Sequence, residues 1–266
     1  MIALSHVTEA SWRALKRAAH PTGRPMTEHT VKQFDEELKG LSEMIAEMGG
    51  LAETLVVHSI EALLSRDVAA AQLIIARDRD IDRLQQLIEE KAVLTIAKRQ
   101  PMAVDLREIV AALRVSNDLE RIGDLAKNNA KRVLALEGQL QPAKLVGGVD
   151  HMGELVQTQL KQVLDAYARR DAEEALEVWN RDGEVDALYT SLFRELLTYM
   201  MEDPRNIGFC AHLLFCAKNI ERIGDHATNI AETIHYLVLG EVLADERPKG
   251  DLTSVTTIAY AEGGAA

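Results

Sequence analysis

A short acidic motif with helical spacing occurs twice in this 266-residue chain. Glu-Arg-Ile-Gly-Asp stands at residues 120–124 and again at residues 221–225, and an asparagine follows each aspartate by four positions, at Asn128 and Asn229. On an α-helix this spacing places the three oxygen-bearing side chains on one face. Carboxylate and amide oxygens bind metal ions, so the repeated motif predicts a metal-binding face.

A second acidic pair with the same spacing precedes each motif. Asp78 and Asp82 precede the first, and Asp182 and Asp186 precede the second. All of these pairs interrupt mostly apolar helical stripes, so we expect them to face a neighbouring helix. If the two helices of each copy are antiparallel neighbours, their acidic pairs meet across one groove.

Four carboxylates in one groove would repel one another strongly. A single like-charge pair at 4 Å costs about 4 kcal/mol at an effective dielectric constant of 20. Such a group must take up protons, contact arginines or bind a cation. Oxygen ligands favour hard cations such as Mg²⁺, Ca²⁺, Mn²⁺ or iron. We therefore predict metal ligands at Asp78, Asp82, Glu120, Asp124, Asp182, Asp186, Glu221 and Asp225, with Asn128 and Asn229 as further ligands or as groups that orient them.

Two other readings of these residues stay open. Acidic pairs at four-residue spacing are common on solvated helix faces, which would make the protein a metal-free helical scaffold. Alternatively, the protein is a carboxylate-bridged metalloenzyme of the helical-bundle type, for which the Glu232–His235 spacing is the only hint. That pair has no counterpart in the first copy, and neither does His212 with Cys216.

The elements that position the acids are long helices in two tandem copies. Apolar residues recur at three- and four-residue steps, and no segment alternates like a strand. We predict an all-α fold of two pseudo-symmetric three-helix bundles, with the glycine of each motif at a close helix contact. The predicted helices are 29–65, 67–98 and 101–137 in the first copy, and 149–169, 171–201 and 204–240 in the second.

The predicted organisation includes three segments outside the bundles. Residues 1–25 form an N-terminal extension, expected to be disordered, and residues 139–148 are a linker rich in glycine and proline. The bundles span 26–138 and 149–240, and residues 241–266 are expected to form a mobile tail.

Composition narrows the setting of the protein. A net charge of −12 argues against a nucleic-acid partner. The two cysteines form neither a zinc motif nor a disulfide framework. The sequence contains no apolar run of membrane-spanning length and no signal-peptide pattern. We therefore expect a cytoplasmic protein.

Taken together, these motifs resemble the PhoU family of phosphate-transport regulators. The resemblance covers about residues 26–240 and rests on both Glu-Arg-Ile-Gly-Asp segments. It also rests on Gln-Pro-Met-Ala-Val-Asp-Leu-Arg at residues 100–107 and on Arg-Ile-Gly-Asp-His-Ala-Thr-Asn-Ile at residues 222–230.

The resemblance implies a non-catalytic regulator that keeps the phosphate-starvation response off when phosphate is plentiful. Its implied partners are the ATPase of the phosphate ABC transporter and the sensor histidine kinase, and it would be peripheral to the membrane through them. We also expect a homodimer. Some family members bind multinuclear iron or zinc clusters through Glu/Asp-x-x-x-Asp motifs, which here correspond to the four acidic pairs. Iron or zinc is thus the expected metal, with magnesium or manganese as alternatives.

Overall fold

The computed structural model describes residues 28–137, residues 146–243 and residue 247. These ranges contain helices and connecting turns but no strand, which confirms the all-α prediction. None of the described helices combines the length and the apolar character needed to cross a membrane. The helices are α1 (Glu28–Ser65), α2 (Val68–Arg99), α3 (Val104–Ala135), α4 (Gly147–Arg169), α5 (Ala172–Asn180), α6 (Asp182–Glu202) and α7 (Ile207–Leu239), with a 3-10 turn at Pro204–Asn206.

Local sequence explains where several helices begin and end. The Asp67 side chain caps α2 by accepting from the backbone N–H of Ala70, and Asp171 caps α5 in the same way. Helix α7 ends at Leu239 and is followed by Gly240, which adopts a left-handed conformation with φ of +79°. Glycine has no Cβ to oppose this conformation, so it suits the end of a helix.

The helices pack as two groups, one for each copy, joined side by side. Helices α1, α2 and α3 contact one another in the first copy, and α4, α5, α6 and α7 do so in the second. The two copies meet mainly through α3 against α7, with α1 against α4 beside them. Their interiors form one continuous aliphatic core that includes Leu41, Ile45, Ile109, Leu160 and Ile220.

The second helix of the second copy is not the single segment 171–201 that its periodicity predicts. It is interrupted at Arg181, where φ is −94° and ψ is 5°. The carbonyl of Arg181 accepts a hydrogen bond from the Gln159 side chain at 3.1 Å. The nearby Gly183 also weakens the helix, since the matching residue of the first copy is Arg79. Contacts from α4 and a poor helix former together explain the break.

Two predicted boundaries also need correction. The linker 139–148 extends too far, because Gly147 and Gly148 already belong to α4. Helix α3 begins at Val104 and not at residue 101. Arg247 lies within the segment 241–266 that we expected to be mobile, yet its side chain contacts α6 and α7. The extension 1–25 lies outside the described residues.

Candidate functional site

In the first copy, helices α2 and α3 bring two of the predicted acids together around a lysine. Lys127 Nζ donates to Asp124 Oδ1 at 2.6 Å and also to Asp78 Oδ2. Asp78 is only 4% exposed, so its charge depends on this ammonium group. We call Asp78, Asp82, Glu120, Asp124 and Lys127 the first acidic site.

Asp82 and Glu120 belong to the same electrostatic group. Burial raises the pKa of Asp82, and the neighbouring Asp78 adds to the rise. Burial likewise raises the pKa of Glu120, followed by repulsion from Asp124. Burial opposes the charge of Lys127, but its hydrogen bonds to the two aspartates outweigh that effect and raise the pKa of Lys127. The lysine therefore stays protonated and serves as the cation of this site.

In the second copy, the cation comes from another part of the chain. The residue that matches Lys127 in the repeat is Thr228, whose hydroxyl donates to Asp182 Oδ1 at 2.8 Å. Arg247 supplies the positive charge: its Nε and Nη2 each donate to one oxygen of Asp182 at 2.7 Å. Nη2 also donates to Asp225 Oδ1 at 2.7 Å. We call Asp182, Asp186, Glu221, Asp225 and Arg247 the second acidic site.

Glu221 is the most strongly perturbed acid of the second site. It is 5% exposed, and its Oε1 accepts a hydrogen bond from Lys218 Nζ at 2.7 Å. Its Oε2 is buried and has no hydrogen-bond donor among the described residues. Burial raises the pKa of Glu221 to about 7 against the lowering effect of Lys218, and repulsion from Asp225 and Asp186 contributes to the rise. Half of this carboxylate is therefore unsatisfied, which costs free energy.

The second site fits a hard cation by its chemistry, although its present geometry is closed. All predicted ligands offer oxygen, and the unpaired Glu221 Oε2 is an atom that a cation would satisfy. Within residues 28–137, 146–243 and 247, however, no three His, Cys, Asp or Glu side chains form a metal-binding group. Lys127 and Arg247 stand between the carboxylates, so a metal ion must displace them to reach both helices.

The motif glycine positions the first site by letting α2 and α3 approach closely. A Cβ added at Gly123 would lie 2.8 Å from Ile81 Cδ1 and 3.7 Å from Asp78 Oδ1. At Gly224 the nearest atom would be Val185 Cγ2 at 3.5 Å, an ordinary contact. Close packing thus explains Gly123, whereas the smaller valine leaves more room in the second copy.

The two asparagines differ. Asn128 is exposed on α3. Asn229 adjoins the second site, since its Oδ1 accepts from Arg247 Nη1 at 3.3 Å and its Nδ2 donates to Asp118 Oδ1 at 3.3 Å. Asn229 therefore orients the arginine, and Asn128 has no such position.

The residues considered for a metalloenzyme have other contacts. Glu232 accepts a hydrogen bond from Trp179 Nε1 at 3.0 Å, and His235 Nδ1 lies 3.1 Å from the carbonyl oxygen of Glu241. His212 Nδ1 is 3.4 Å from Arg132, and Cys216 is buried with burial raising its pKa to about 12.

Sequence reasoning missed both cations. Lys127 follows Asp124 by three residues, a spacing that pairs opposite charges on a helix and that could have revealed it. Arg247 carries no such local signal, because it lies beyond the end of α7 and 65 positions from Asp182.

The sequence of this chain is similar to that of known proteins over most of its length. A family model described as the PhoU domain matches residues 45–133 and 149–234, one segment in each copy. The phosphate-specific transport system accessory protein PhoU homolog of Rhizobium meliloti (strain 1021) is 60% identical over 226 residues, covering 85% of this chain and 95% of that protein. The homolog of the same description from Caulobacter vibrioides (strain NA1000 / CB15N) is 55% identical over 229 residues, covering 86% of this chain and 100% of that protein.

Solved structures agree with these relatives. The crystal structure of PhoU from Pseudomonas aeruginosa matches with a TM-score of 0.75 and 41% identity, covering 78% of this chain and 100% of that one. The phosphate transport system regulatory protein PhoU from Streptococcus pneumoniae matches with a TM-score of 0.73 and 31% identity, covering 79% of this chain and 99% of that one. The resemblance read from the sequence is thus confirmed, and the chain belongs to the PhoU family.

Proposed function

We propose that this protein regulates phosphate uptake as an accessory protein of a phosphate-specific transport system. The observation that carries the proposal is the 60% identity, over nearly the full length of the relative, to a protein of that description in Rhizobium meliloti (strain 1021). None of the described helices could cross a membrane. We propose that the protein reaches the transporter through contacts with the transporter subunits.

We further propose that the protein is a non-catalytic negative regulator that couples two partner proteins. It binds the ATPase of the phosphate ABC transporter and the sensor histidine kinase, and it keeps the starvation response off while phosphate is plentiful. Support comes from the family resemblance and from the relatives, which are described as accessory or regulatory proteins. We further propose that it acts as a homodimer in the cytoplasm.

Affinity capture tests the partner proposal. The full chain, tagged and expressed at its natural level, should recover the ATPase and the kinase from cells grown in high phosphate. Deleting the chain should switch on a starvation reporter in the same medium. Recovery of neither partner together with an unchanged reporter would contradict the proposal. Light scattering of the purified chain measures its oligomeric state.

We also propose that the two acidic sites bind iron or zinc ions, with magnesium or manganese as alternatives. A bound cation would neutralise the carboxylates and join two helices of one copy. Asp78, Asp82, Glu120 and Asp124 would hold it in the first site. Asp182, Asp186, Glu221 and Asp225 would do so in the second. The unsatisfied Glu221 Oε2 supports this proposal.

Elemental analysis of untagged protein tests metal binding directly. We expect stoichiometric metal in the wild type and a clear loss in Asp182→Asn. Asp80→Asn is the matched control. Asp80 is exposed on α2, so this substitution removes the same charge outside the two acidic sites. Metal content that is equal in all three proteins would refute the assignment of the ligands. Purified metal-loaded protein should show neither phosphate-ester hydrolysis nor oxygen consumption; either activity, if lost in Asp124→Ala, would favour the metalloenzyme instead.

A further inference from the structure

The most informative difference between the acidic sites is how their cations are attached. The ammonium group of Lys127 is carried by α3, the helix that also carries Asp124. The guanidinium group of Arg247 is carried by chain that follows the last helix, which ends at Leu239. Both groups bridge the aspartates that lie on two helices of one copy.

We propose that Arg247 is a releasable internal cation of the second acidic site, and that a divalent metal ion entering this site displaces it. Metal occupancy is then coupled to the release of the Arg247 side chain from Asp182 and Asp225. This proposal rests on the metal function proposed above, and it names Arg247 as the group that the metal ion displaces.

The contacts of Arg247 explain why it competes with a metal ion. Its side chain is 16% exposed and holds both oxygens of Asp182 and one oxygen of Asp225. A metal ion that joins α6 to α7 requires these same oxygens, so both cations cannot bind them together. In exchange, a compact divalent ion brings twice the charge and can satisfy Glu221 Oε2, which has no donor among the described residues.

The two tethers explain why release is specific to the second site. When a metal ion displaces Lys127, the ammonium group stays within one side-chain length of the site, and it continues to compete. Arg247 lies beyond Leu239, the last residue of α7, so neither helix of the second acidic site carries it. A displaced Arg247 guanidinium group is therefore not held beside the site by α6 or α7, and we expect its effective concentration there to be lower than that of Lys127 at the first site.

Competition of this kind sets the expected size of the effect. If the site is free of Arg247 for about one tenth of the time, the apparent Kd for metal is raised about tenfold over its intrinsic value. Removing the guanidinium group should restore the intrinsic affinity. Replacing it with the ammonium group of lysine should give an intermediate result, because lysine keeps the charge but loses the paired hydrogen bonds.

The test uses the full chain, Mn²⁺ as the metal and two readouts. Titration followed by electron paramagnetic resonance counts bound Mn²⁺ in the wild type, Arg247→Gln, Arg247→Lys and the matched variant Lys127→Gln. Modification by phenylglyoxal, located by peptide mass spectrometry, measures how accessible the Arg247 guanidinium group is before and after Mn²⁺ is added. Arg222, which is exposed on α7, is the internal control for the reagent.

We expect Mn²⁺ to increase labelling of Arg247 several-fold while labelling of Arg222 is unchanged. Arg247→Gln should bind one Mn²⁺ about tenfold more tightly, and Arg247→Lys should fall between it and the wild type. In Lys127→Gln, Mn²⁺ should still expose Arg247. Mn²⁺ binding without added labelling or a gain in affinity would overturn this proposal and leave the metal function intact. Absence of Mn²⁺ binding in every protein, each folded by circular dichroism, would overturn this proposal, whereas the metal function is decided separately by the elemental analysis described above.

Discussion

The two acidic sites contain matching carboxylates but obtain their positive charge from different places. In the first copy, Lys127 reaches Asp78 from the neighbouring helix. In the second copy, Thr228 stands at the matching position, and Arg247 reaches Asp182 from beyond the last helix. The duplication therefore retained the acids but not the source of the cation. A buried aspartate requires a counter-charge, whereas the segment that supplies it can change.

The glutamates of the two motifs show a second difference. Glu120 is half-buried and lies 3.6 Å from the exposed guanidinium group of Arg121. Glu221 is buried, and among the described residues only one of its oxygens has a donor, which is Lys218. The second site thus combines a cation that neither of its helices carries with a glutamate whose charge is poorly compensated. This combination makes it the better candidate for exchange between an internal cation and a metal ion.

The largest expected effect comes from removing each cation in turn. Lys127→Gln leaves the buried carboxylate of Asp78 without its ammonium partner, which should lower the free energy of unfolding by about 3–5 kcal/mol. Arg247→Gln should cost less, about 1–2 kcal/mol, because the Thr228 hydroxyl still donates to Asp182. Urea unfolding at pH 8 in chelator measures both.

Lys131→Gln is the control for this pair, since Lys131 is exposed on α3 and carries the same charge. It should change the free energy of unfolding by less than about 0.5 kcal/mol. Equal losses in Lys127→Gln and Arg247→Gln would mean that the two cations are equivalent, and the contrast between the sites would fail.

The next effect concerns pH and the buried Glu221. Its pKa is about 7 in the folded protein, above the ordinary value of 4.5. The folded state therefore binds the extra proton, and the resulting stability is present below pH 4.5 and is lost as pH rises through 7. A shift of this size corresponds to about 3 kcal/mol. In chelator, the stability of the wild type relative to Glu221→Gln should fall by that amount between pH 4.5 and pH 8.

Glu120→Gln provides the comparison for this pH effect. Burial also raises the pKa of Glu120, but this side chain retains contact with solvent and with Arg121. Its pH-dependent loss should have the same sign and be smaller. Parallel stability curves for the wild type and Glu221→Gln would show that Glu221 does not titrate in this range.

Much of the fold could be predicted because helical periodicity is a local property. The helices of the first copy and both acidic pairs of each copy lie close to where their spacing places them. The break at Arg181 could not be predicted in this way, because it depends on a hydrogen bond from Gln159 on another helix. Similarly, the sequence identified which acids meet but not what lies between them.

The residues that supply the positive charge at the two acidic sites could be predicted only in part from the sequence. Electrostatics required protons, arginines or a cation at the grouped acids, and the structure contains an ammonium and a guanidinium group there. The spacing of Lys127 from Asp124 was readable, whereas Arg247 lies in a segment with no helical period. Contacts between distant segments depend on the folded path of the chain, and local residue spacing does not predict that path.

The smallest expected effect concerns the two motif glycines and has opposite signs in the two copies. Alanine is favoured over glycine in a helix by about 1 kcal/mol. At position 123 the new methyl group would meet Ile81 Cδ1 at 2.8 Å in a fully buried contact, and overpacking costs about 1–3 kcal/mol. Gly123→Ala should therefore lower the free energy of unfolding by about 1 kcal/mol in net terms.

At position 224 the added Cβ would lie 3.5 Å from Val185 Cγ2, which is an ordinary contact. The helical preference for alanine then dominates, and Gly224→Ala should raise the free energy of unfolding by about 0.5 kcal/mol. Adding Ile81→Val to Gly123→Ala places alanine opposite valine, as in Gly224→Ala, and should relieve most of the loss. If both glycine variants lose stability equally and Ile81→Val gives no relief, helix proximity is not the reason for the difference between the copies.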